Sequence, residues 1–159
     1  MILKGVVMED FLQYKKPCMV LEFPKCSFKC DNEAGKQVCQ NSKLTFAPIG
    51  NFSERSICEA YLKNDITKAI CCQGLEPMDS FGDLEFFIRV LRWNYRCNDD
   101  IVIYTGYEQN EIQSEIDRLK HYNNIIIKFG RFIPNRPHKY DDVLGIELAS
   151  DNQYGVKIC

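Results

Sequence analysis

The sequence predicts an α/β fold in which helices flank a parallel sheet. Compact apolar runs typical of strands recur along the chain, and segments of helical periodicity about a dozen residues long separate them. Such alternation is typical of βαβ units with right-handed crossovers. The chain has 159 residues, of which 45% are hydrophobic and 26% charged, as in ordinary globular proteins. We therefore expect one domain spanning residues 1–159.

Four apolar runs are predicted to form the parallel strands. They occupy residues 18–23 (CMVLEF), 66–72, 100–105 (DIVIYT) and 124–129 (NIIIKF). Residues 1–17 mix apolar and charged side chains without a clear period, and we expect a short edge strand and a loop there.

Three helices are predicted between these strands. Their apolar faces consist of Ile57, Ala60 and Tyr61; of Leu84, Phe87, Ile88, Leu91 and Tyr95; and of Ile112, Ile116 and Leu119. Ser53 can cap the first helix, and Ser80 with Asp83 resembles a capping box at the start of the second.

The tail, residues 131–159, departs from the alternation. It opens with a polar segment that contains two prolines and ends in two short strand-like runs on either side of residues 150–153. We expect a C-terminal loop and hairpin that close one edge of the sheet.

Charge and cysteine content narrow the classes of function. A net charge of −2 provides no basic field for nucleic acid, and no apolar run approaches the ~18 residues of a membrane span. The N-terminal residues also lack the apolar core of a signal peptide, so we expect a cytoplasmic, reducing location. In that setting the nine cysteines point to metal binding or catalysis rather than to disulfides.

Three of the cysteines lie in one short loop, residues 25–42 (KCSFKCDNEAGKQVCQNS), directly after the first strand. Cys26, Cys30 and Cys39 have the spacing C-x3-C and then C-x8-C. Thiolates are soft ligands that suit zinc or iron–sulfur clusters. From spacing alone two interpretations stay open: structural zinc with Cys18 as the fourth ligand, or a four-iron cluster that leaves one iron open.

The remaining cysteines and histidines carry weaker signals. Cys71 and Cys72 are neighbours in a strand, so their side chains point to opposite faces and are badly placed to share a metal. We assign no role to Cys58, Cys97 or Cys159. His121 and His138 have no partner at metal-ligand spacing, and we expect both at the surface.

Two further motifs follow predicted strands. Residues 73–77 (QGLEP) come after the second strand and residues 105–107 (TGY) after the third. With the three loop cysteines and the CQN tripeptide at residues 39–41, they resemble the radical S-adenosylmethionine superfamily. More narrowly they are similar to the activases of glycyl-radical enzymes, such as those of anaerobic (class III) ribonucleotide reductases. This resemblance covers nearly the whole chain and implies a partial, open parallel (βα) barrel.

The chain departs from the family pattern at three places. The usual spacing is C-x3-C-x2-C, and here six extra residues lie within residues 31–36. A longer flexible loop adds only a modest closure cost. Val38 stands where the family usually has an aromatic residue that stacks near the adenine, and Phe28 could substitute for it. Leu75 replaces the usual second glycine.

The resemblance implies a [4Fe-4S] cluster on Cys26, Cys30 and Cys39, with S-adenosylmethionine on the open iron. Reductive cleavage then gives methionine and a 5′-deoxyadenosyl radical, and the cofactors carry the chemistry. The implied cofactor contacts are Phe28, Val38, Asn41, Gln73, Gly74, Leu75, Glu76, Thr105, Tyr107 and Lys128. Among these, Asn41 is expected to brace the loop, and Lys128 is a candidate partner for the carboxylate.

The implied partners are proteins. A glycyl-radical enzyme, the large subunit of anaerobic ribonucleotide reductase, would be the substrate, and a flavodoxin-like or ferredoxin-like protein would donate the electron. Two alternatives remain: a small radical enzyme that acts on a peptide or a small metabolite, and a zinc-stabilised interaction module built on Cys18 and the three loop cysteines.

Overall fold

The computed structural model describes all 159 residues and contains ten strands and four α-helices. The strands are β1 (Ile2–Leu3), β2 (Gly5–Asp10), β3 (Cys18–Phe23), β4 (Gly50–Asn51), β5 (Ala69–Gly74), β6 (Asp100–Tyr104), β7 (Ile125–Phe129), β8 (Lys139–Asp141), β9 (Ile146–Leu148) and β10 (Tyr154–Lys157). The helices are α1 (Lys29–Ala34), α2 (Glu54–Lys63), α3 (Phe81–Arg89) and α4 (Gln113–Leu119). Short 3-10 helices lie at Ser42–Phe46, Pro77–Ser80 and Gln109–Glu111, and a π-helical turn at Val90–Asn94.

Six of the strands form one mixed sheet in the order β10-β7-β6-β5-β3-β2. The four central strands β3, β5, β6 and β7 are parallel, and the edge strands β2 and β10 are antiparallel to their neighbours. The edges do not pair with each other, so the sheet is open. The architecture is α/β, and assignment to a partial barrel stays a prediction.

The central strands are buried on both faces, which explains their continuous apolar sequences. On one face Leu21, Phe23 and Cys72 pack with the apolar sides of α2, α3 and α4. On the other face Cys18 and Cys71 belong to a smaller cluster under the segments that carry Tyr14 and Leu148. The two adjacent cysteines of β5 therefore point to opposite faces, as predicted.

Most predicted elements are present, with shifted ends. Strand β3 has the predicted bounds, and Ser53 caps α2 by accepting a hydrogen bond from the Ser56 N–H at 3.1 Å. Strand β5 begins three residues later than predicted. Ile66 is about half exposed, and its N–H is held by the Asn64 side chain, which places it in the turn before the strand.

The predicted capping box at Ser80 is wrong. Helix α3 begins directly after the 3-10 helix Pro77–Ser80, and the buried Ser80 hydroxyl has no hydrogen-bond partner. The side-chain cap lies earlier, where Glu76 accepts from the Met78 N–H at 3.1 Å. Beyond Arg89 the helix widens into the π-helical turn, so the predicted periodicity ends before Tyr95.

The tail contains the two predicted short strands on either side of residues 150–153, as β9 and β10, but they do not pair with each other as the predicted hairpin would. Strands β8 and β9 pair around Gly145, which has φ +71°, while residues 150–153 form the turn that leads into β10. Strand β10 pairs antiparallel with β7, and Tyr154 stacks on Phe129 at 5.5 Å between ring centroids. The last strand therefore extends the main sheet rather than closing a hairpin.

None of the helices combines the length and apolar character that crossing a bilayer requires. His121 and His138 are exposed, as predicted.

Candidate functional site

A cavity of about 400 Å³ lies at the carboxyl ends of β3, β5, β6 and β7. Parallel strands in register bring the loops that follow them to the same sheet edge, where α/β folds place their chemistry. Cys26, Cys30 and Cys39 all line the cavity. Of the residues that the resemblance implies as cofactor contacts, eight line the cavity: Asn41, Gln73, Gly74, Leu75, Glu76, Thr105, Tyr107 and Lys128.

The three loop thiols are free and half-buried. Burial raises the pKa of the Cys26 thiol to about 12, and burial with the neighbouring Cys39 raises that of Cys30 to about 11. Without a metal these two thiols are protonated at neutral pH, and a bound metal ion would displace their protons.

The cavity contains the donor set that an iron–sulfur cluster requires, three cysteine thiols. No three histidine, cysteine, aspartate or glutamate side chains converge on one point as ligands of one metal ion would. A four-iron cubane presents its irons at separate corners, so its thiolate ligands surround it rather than meet at one point. Cys26, Cys30 and Cys39 all line the cavity, so each could ligate a different iron of one cluster.

Cys18 is not available as a fourth ligand, so the four-cysteine zinc site is wrong. It is the first residue of β3, at the strand end opposite the cysteine loop, and lies about 16 Å along the strand from Phe23. Its side chain is fully buried beside Cys71 on the second face of the sheet.

The first part of the cysteine loop is fastened to the other strand-end loops. Asp79 accepts hydrogen bonds from the Ser27 N–H at 2.5 Å and from the Tyr107 hydroxyl at 2.6 Å. The Glu76 N–H donates to the Lys25 carbonyl at 2.7 Å. These bonds hold the backbone on both sides of Cys26 against the loops that follow β5 and β6.

Phe28 has a left-handed backbone with φ +53°, an unusual conformation for a bulky residue. In this conformation its N–H donates to the sulfur of Cys26 at 3.2 Å. Hydrogen bonds to ligand sulfurs influence the potential of iron–sulfur clusters. Neither Phe28 nor Val38 lines the cavity, so neither side chain lies where a contact with the adenine was expected.

The QGLEP loop is fixed by Gly74 and Glu76. Gly74 has φ +100°, and a Cβ there would lie 2.7 Å from the Phe23 backbone nitrogen, so a glycine is required. Its carbonyl accepts from the Asn41 side chain at 2.9 Å, which braces the end of the cysteine loop. The leucine at position 75 leaves this backbone path intact.

Glu76 is a buried carboxylate that joins two loops. One oxygen accepts from the Met78 N–H, and the other accepts from the Gly106 N–H at 2.8 Å. Burial raises the pKa of Glu76 to about 7, although the hydrogen bonds oppose that shift. Both oxygens are engaged, so Glu76 acts first as a brace between the loops after β5 and β6.

Lys128 is buried in the cavity wall rather than solvated at a strand end. Its ammonium donates to the Gly130 carbonyl at 2.9 Å and has no carboxylate within ion-pair distance. Burial lowers its pKa to about 8, against the attraction of Glu76. A buried cation without an anionic partner is suited to an anionic ligand group.

Sequence reasoning missed two parts of the cavity. Arg131 lies just after β7, and its place at the carboxyl end of a parallel strand is the signal that could have identified it. Leu12, Gln13 and residues 146–149 also line the cavity, and only the tertiary packing of the N-terminal loop against the hairpin brings them there. The Tyr104 hydroxyl donates to the Gln13 carbonyl at 2.5 Å and ties this part of the lining to β6.

Comparison with protein-family models identifies a match for this chain. A family model described as a 4Fe-4S single cluster domain matches residues 17–153, which include the cysteine loop and the four parallel strands. Neither the search of curated proteins nor that of solved structures gave a match. The matched segment covers most of the chain, so the protein belongs to the 4Fe-4S single cluster domain family, an iron–sulfur domain associated with radical S-adenosylmethionine proteins.

Proposed function

We propose that this protein is a radical S-adenosylmethionine enzyme of the glycyl-radical activase type, with the cluster on Cys26, Cys30 and Cys39. The observation that carries the proposal is convergence on one cavity. Three thiols, the QGLEP and TGY loops and the buried Lys128 line it together, although they come from four different strand ends.

The bound cofactors would supply the chemistry, a one-electron reductive cleavage of S-adenosylmethionine to methionine and a 5′-deoxyadenosyl radical, which would take a hydrogen atom from the target. The chain itself binds and orients. Lys128 is the group that we assign to the methionine carboxylate, because its ammonium is buried in the wall without an acidic partner. Glu76 and Asn41 hold the QGLEP loop in place around it.

For the target we propose a glycine in the large subunit of an anaerobic ribonucleotide reductase, and for the electron a flavodoxin-like or ferredoxin-like donor. Support comes from the similarity of the QGLEP and TGY loops to those of activases. The cytoplasm is the location in which such partners would be met.

The ligand assignment is tested by anaerobic reconstitution with iron and sulfide. We expect about four irons per wild-type chain and broad absorption near ~400 nm, as thiolate-bound clusters show. Cys30→Ala should lose most of both signals. Cys159→Ala is the matched control, because Cys159 is a half-buried thiol whose hydrogen bonds go to Leu119 and Tyr122, away from the cavity. Equal iron in Cys30→Ala and wild type would refute the assignment.

The activity is tested with reconstituted protein, S-adenosylmethionine, a reductant and an anaerobic reductase. The expected products are 5′-deoxyadenosine and a glycyl radical on the reductase, detected by electron paramagnetic resonance. Lys128→Met should raise the KM for S-adenosylmethionine about tenfold or more, since it removes the proposed carboxylate partner. Lys120→Met, on the exposed end of α4, should leave it unchanged.

A second candidate is a small radical enzyme that acts on a peptide or a small metabolite. Leu12, Gln13 and residues 146–149 favour it, because they add to the lining of the cavity and give a small molecule further surface to contact. Formation of 5′-deoxyadenosine without a glycyl radical on the reductase would support this candidate over the activase.

A further inference from the structure

The long spacer between Cys30 and Cys39 has a fold of its own. Its first residues form α1, which has no buried residue and ends at Gly35 in a left-handed conformation with φ +63°. A helix of six residues is marginal in water without tertiary packing. Something other than the helix must therefore hold Cys39 next to Cys30.

The Asp31 side chain closes this spacer. One carboxylate oxygen accepts from the Val38 N–H at 2.7 Å and from the Cys39 N–H at 2.8 Å. The same oxygen lies 3.8 Å from the Cys30 sulfur, whose thiol donates towards it. A single side chain thus joins the backbone of the third cysteine to the beginning of the spacer, beside the second cysteine.

A second contact with the spacer is weaker. Arg131 lies 3.2 Å from Glu33 on α1 and 2.7 Å from Glu111, which also pairs with Lys29 at 3.0 Å. The Glu33 side chain is 62% exposed, and exposed ion pairs contribute little. The Arg131 network therefore steadies the outside of the helix, whereas the Asp31 side chain bonds to the backbone N–H of Cys39.

We propose that Asp31 is a positioning residue for the third thiolate: its carboxylate closes the spacer into a ring that keeps Cys39 within reach of the cluster held by Cys26 and Cys30. Closing a flexible loop in advance removes conformational entropy that cluster binding would otherwise have to overcome. The proposal rests on the ligand assignment above, and it does not depend on which substrate the enzyme attacks.

The test is the rate at which reconstituted protein loses its cluster to an iron chelator without oxygen, followed by the decay of absorbance near ~400 nm. We expect Asp31→Ala to lose the cluster about tenfold faster than wild type. Asp31→Asn keeps an oxygen acceptor for both N–H groups and should stay within about threefold. Glu33→Gln is the matched control, because it neutralises a carboxylate on the same helix that makes no bond to Cys39, and it should match wild type.

Two further measurements separate positioning from general stability. The thermal unfolding midpoint of the cluster-free chain should be the same for Asp31→Ala and wild type, since no residue of α1 belongs to the buried core. The electron paramagnetic resonance spectrum of the reduced cluster should broaden in Asp31→Ala and not in Glu33→Gln. An Asp31→Ala protein that holds its cluster as long as wild type overturns the proposal, as does an Asp31→Asn protein that loses it as fast as Asp31→Ala.

Failure of this inference is distinguishable from failure of the ligand assignment through Cys39→Ala. If Cys39→Ala loses the cluster while Asp31→Ala retains it, the ligands are right and the positioning role is wrong. If Cys39→Ala retains a full cluster, both the assignment and the positioning role are wrong.

Discussion

The cysteine loop has two halves that are held in opposite ways: the first is the chain around Cys26, and the second is the spacer between Cys30 and Cys39. Around Cys26 the backbone is bonded to Asp79 and Glu76, which belong to the loop after a central strand. Between Cys30 and Cys39 the chain bonds mainly to itself, through Asp31. The first half is thus fixed to the loops at the edge of the sheet, whereas the second half projects from the sheet edge.

This difference shows how a sheet-edge site can accept a longer loop. A segment with few buried contacts opens locally at low free energy, and α1 in the spacer has no buried residue. We therefore expect the chain around Cys26 to unfold only with the domain and the spacer to open locally. Changes to the first half should lower global stability, while changes to the second should alter cluster retention.

The largest effect is expected at Gly74, where strand β5 ends and the loop that lines the site begins. In Gly74→Ala the new Cβ would meet the Phe23 backbone nitrogen at 2.7 Å, and alanine is strained at φ +100°. We expect a loss of about 2–4 kcal/mol in unfolding free energy, measured by urea denaturation of the cluster-free chain. Gly82→Ala is the control, because its Cβ would meet nothing within 4 Å in α3. That variant should be neutral or more stable, and similar losses in both would contradict the role of Gly74.

Glu76, which is bonded to the first half, makes the free energy of unfolding depend on pH. Its pKa is raised to about 7 in the folded chain, above the ordinary value near 4.5. Between these values the folded chain holds a proton that the unfolded chain has lost. Stability is therefore greatest below pH about 4.5 with respect to this group and falls by about 1–3 kcal/mol as pH rises to 7.

The measurement is urea denaturation of cluster-free protein at several pH values, compared with Glu76→Gln. Between pH about 4.5 and 7 the free energy of unfolding should fall less steeply in Glu76→Gln than in wild type, because the contribution of this carboxyl is absent. If the free energy of unfolding had the same pH dependence in both proteins, Glu76 would titrate normally.

Much of the first half could be predicted from the sequence, and little of the second. Burial on both faces makes β3, β6 and β7 continuous apolar runs, and parallel pairing then brings the motifs that follow them to one edge. Asp31 carries no such signal, because an aspartate in a polar loop has many ordinary uses. The bonds that give it a role depend on how the spacer folds back.

The strand pairing of the tail was mispredicted for a related reason. Strand β10 is stabilised by pairing with β7, which lies some 25 residues earlier, and no local pattern identifies that partner. Likewise Ser80 has the side chain of a helix cap, but the cap is formed by Glu76 one turn earlier. Tertiary contacts decided both outcomes against local preference.

Asp79 is the anchor of the first half that can be removed most cleanly. In Asp79→Asn the side chain keeps one acceptor oxygen, so it can no longer serve both the Ser27 N–H and the Tyr107 hydroxyl. We expect a loss of about 1–2 kcal/mol in unfolding free energy and faster cluster loss. Asp83→Asn, exposed on α3, should change neither quantity. If Asp79→Asn altered cluster retention alone, the first half would open locally as the spacer does, and the two halves would not differ.

The smallest effect is expected where α1 meets Arg131. Glu33→Gln removes an exposed ion pair and should cost no more than about 0.5 kcal/mol of unfolding free energy, with the difference shrinking further in 1 M salt. Glu111→Gln should cost more, about 0.5–1 kcal/mol, because Glu111 pairs with both Arg131 and Lys29 and these partners lower its pKa to about 2. Urea denaturation at low and high salt measures both. A loss in Glu33→Gln as large as that in Asp79→Asn would mean that the spacer is part of the cooperative fold, and the contrast between the two halves of the loop would fail.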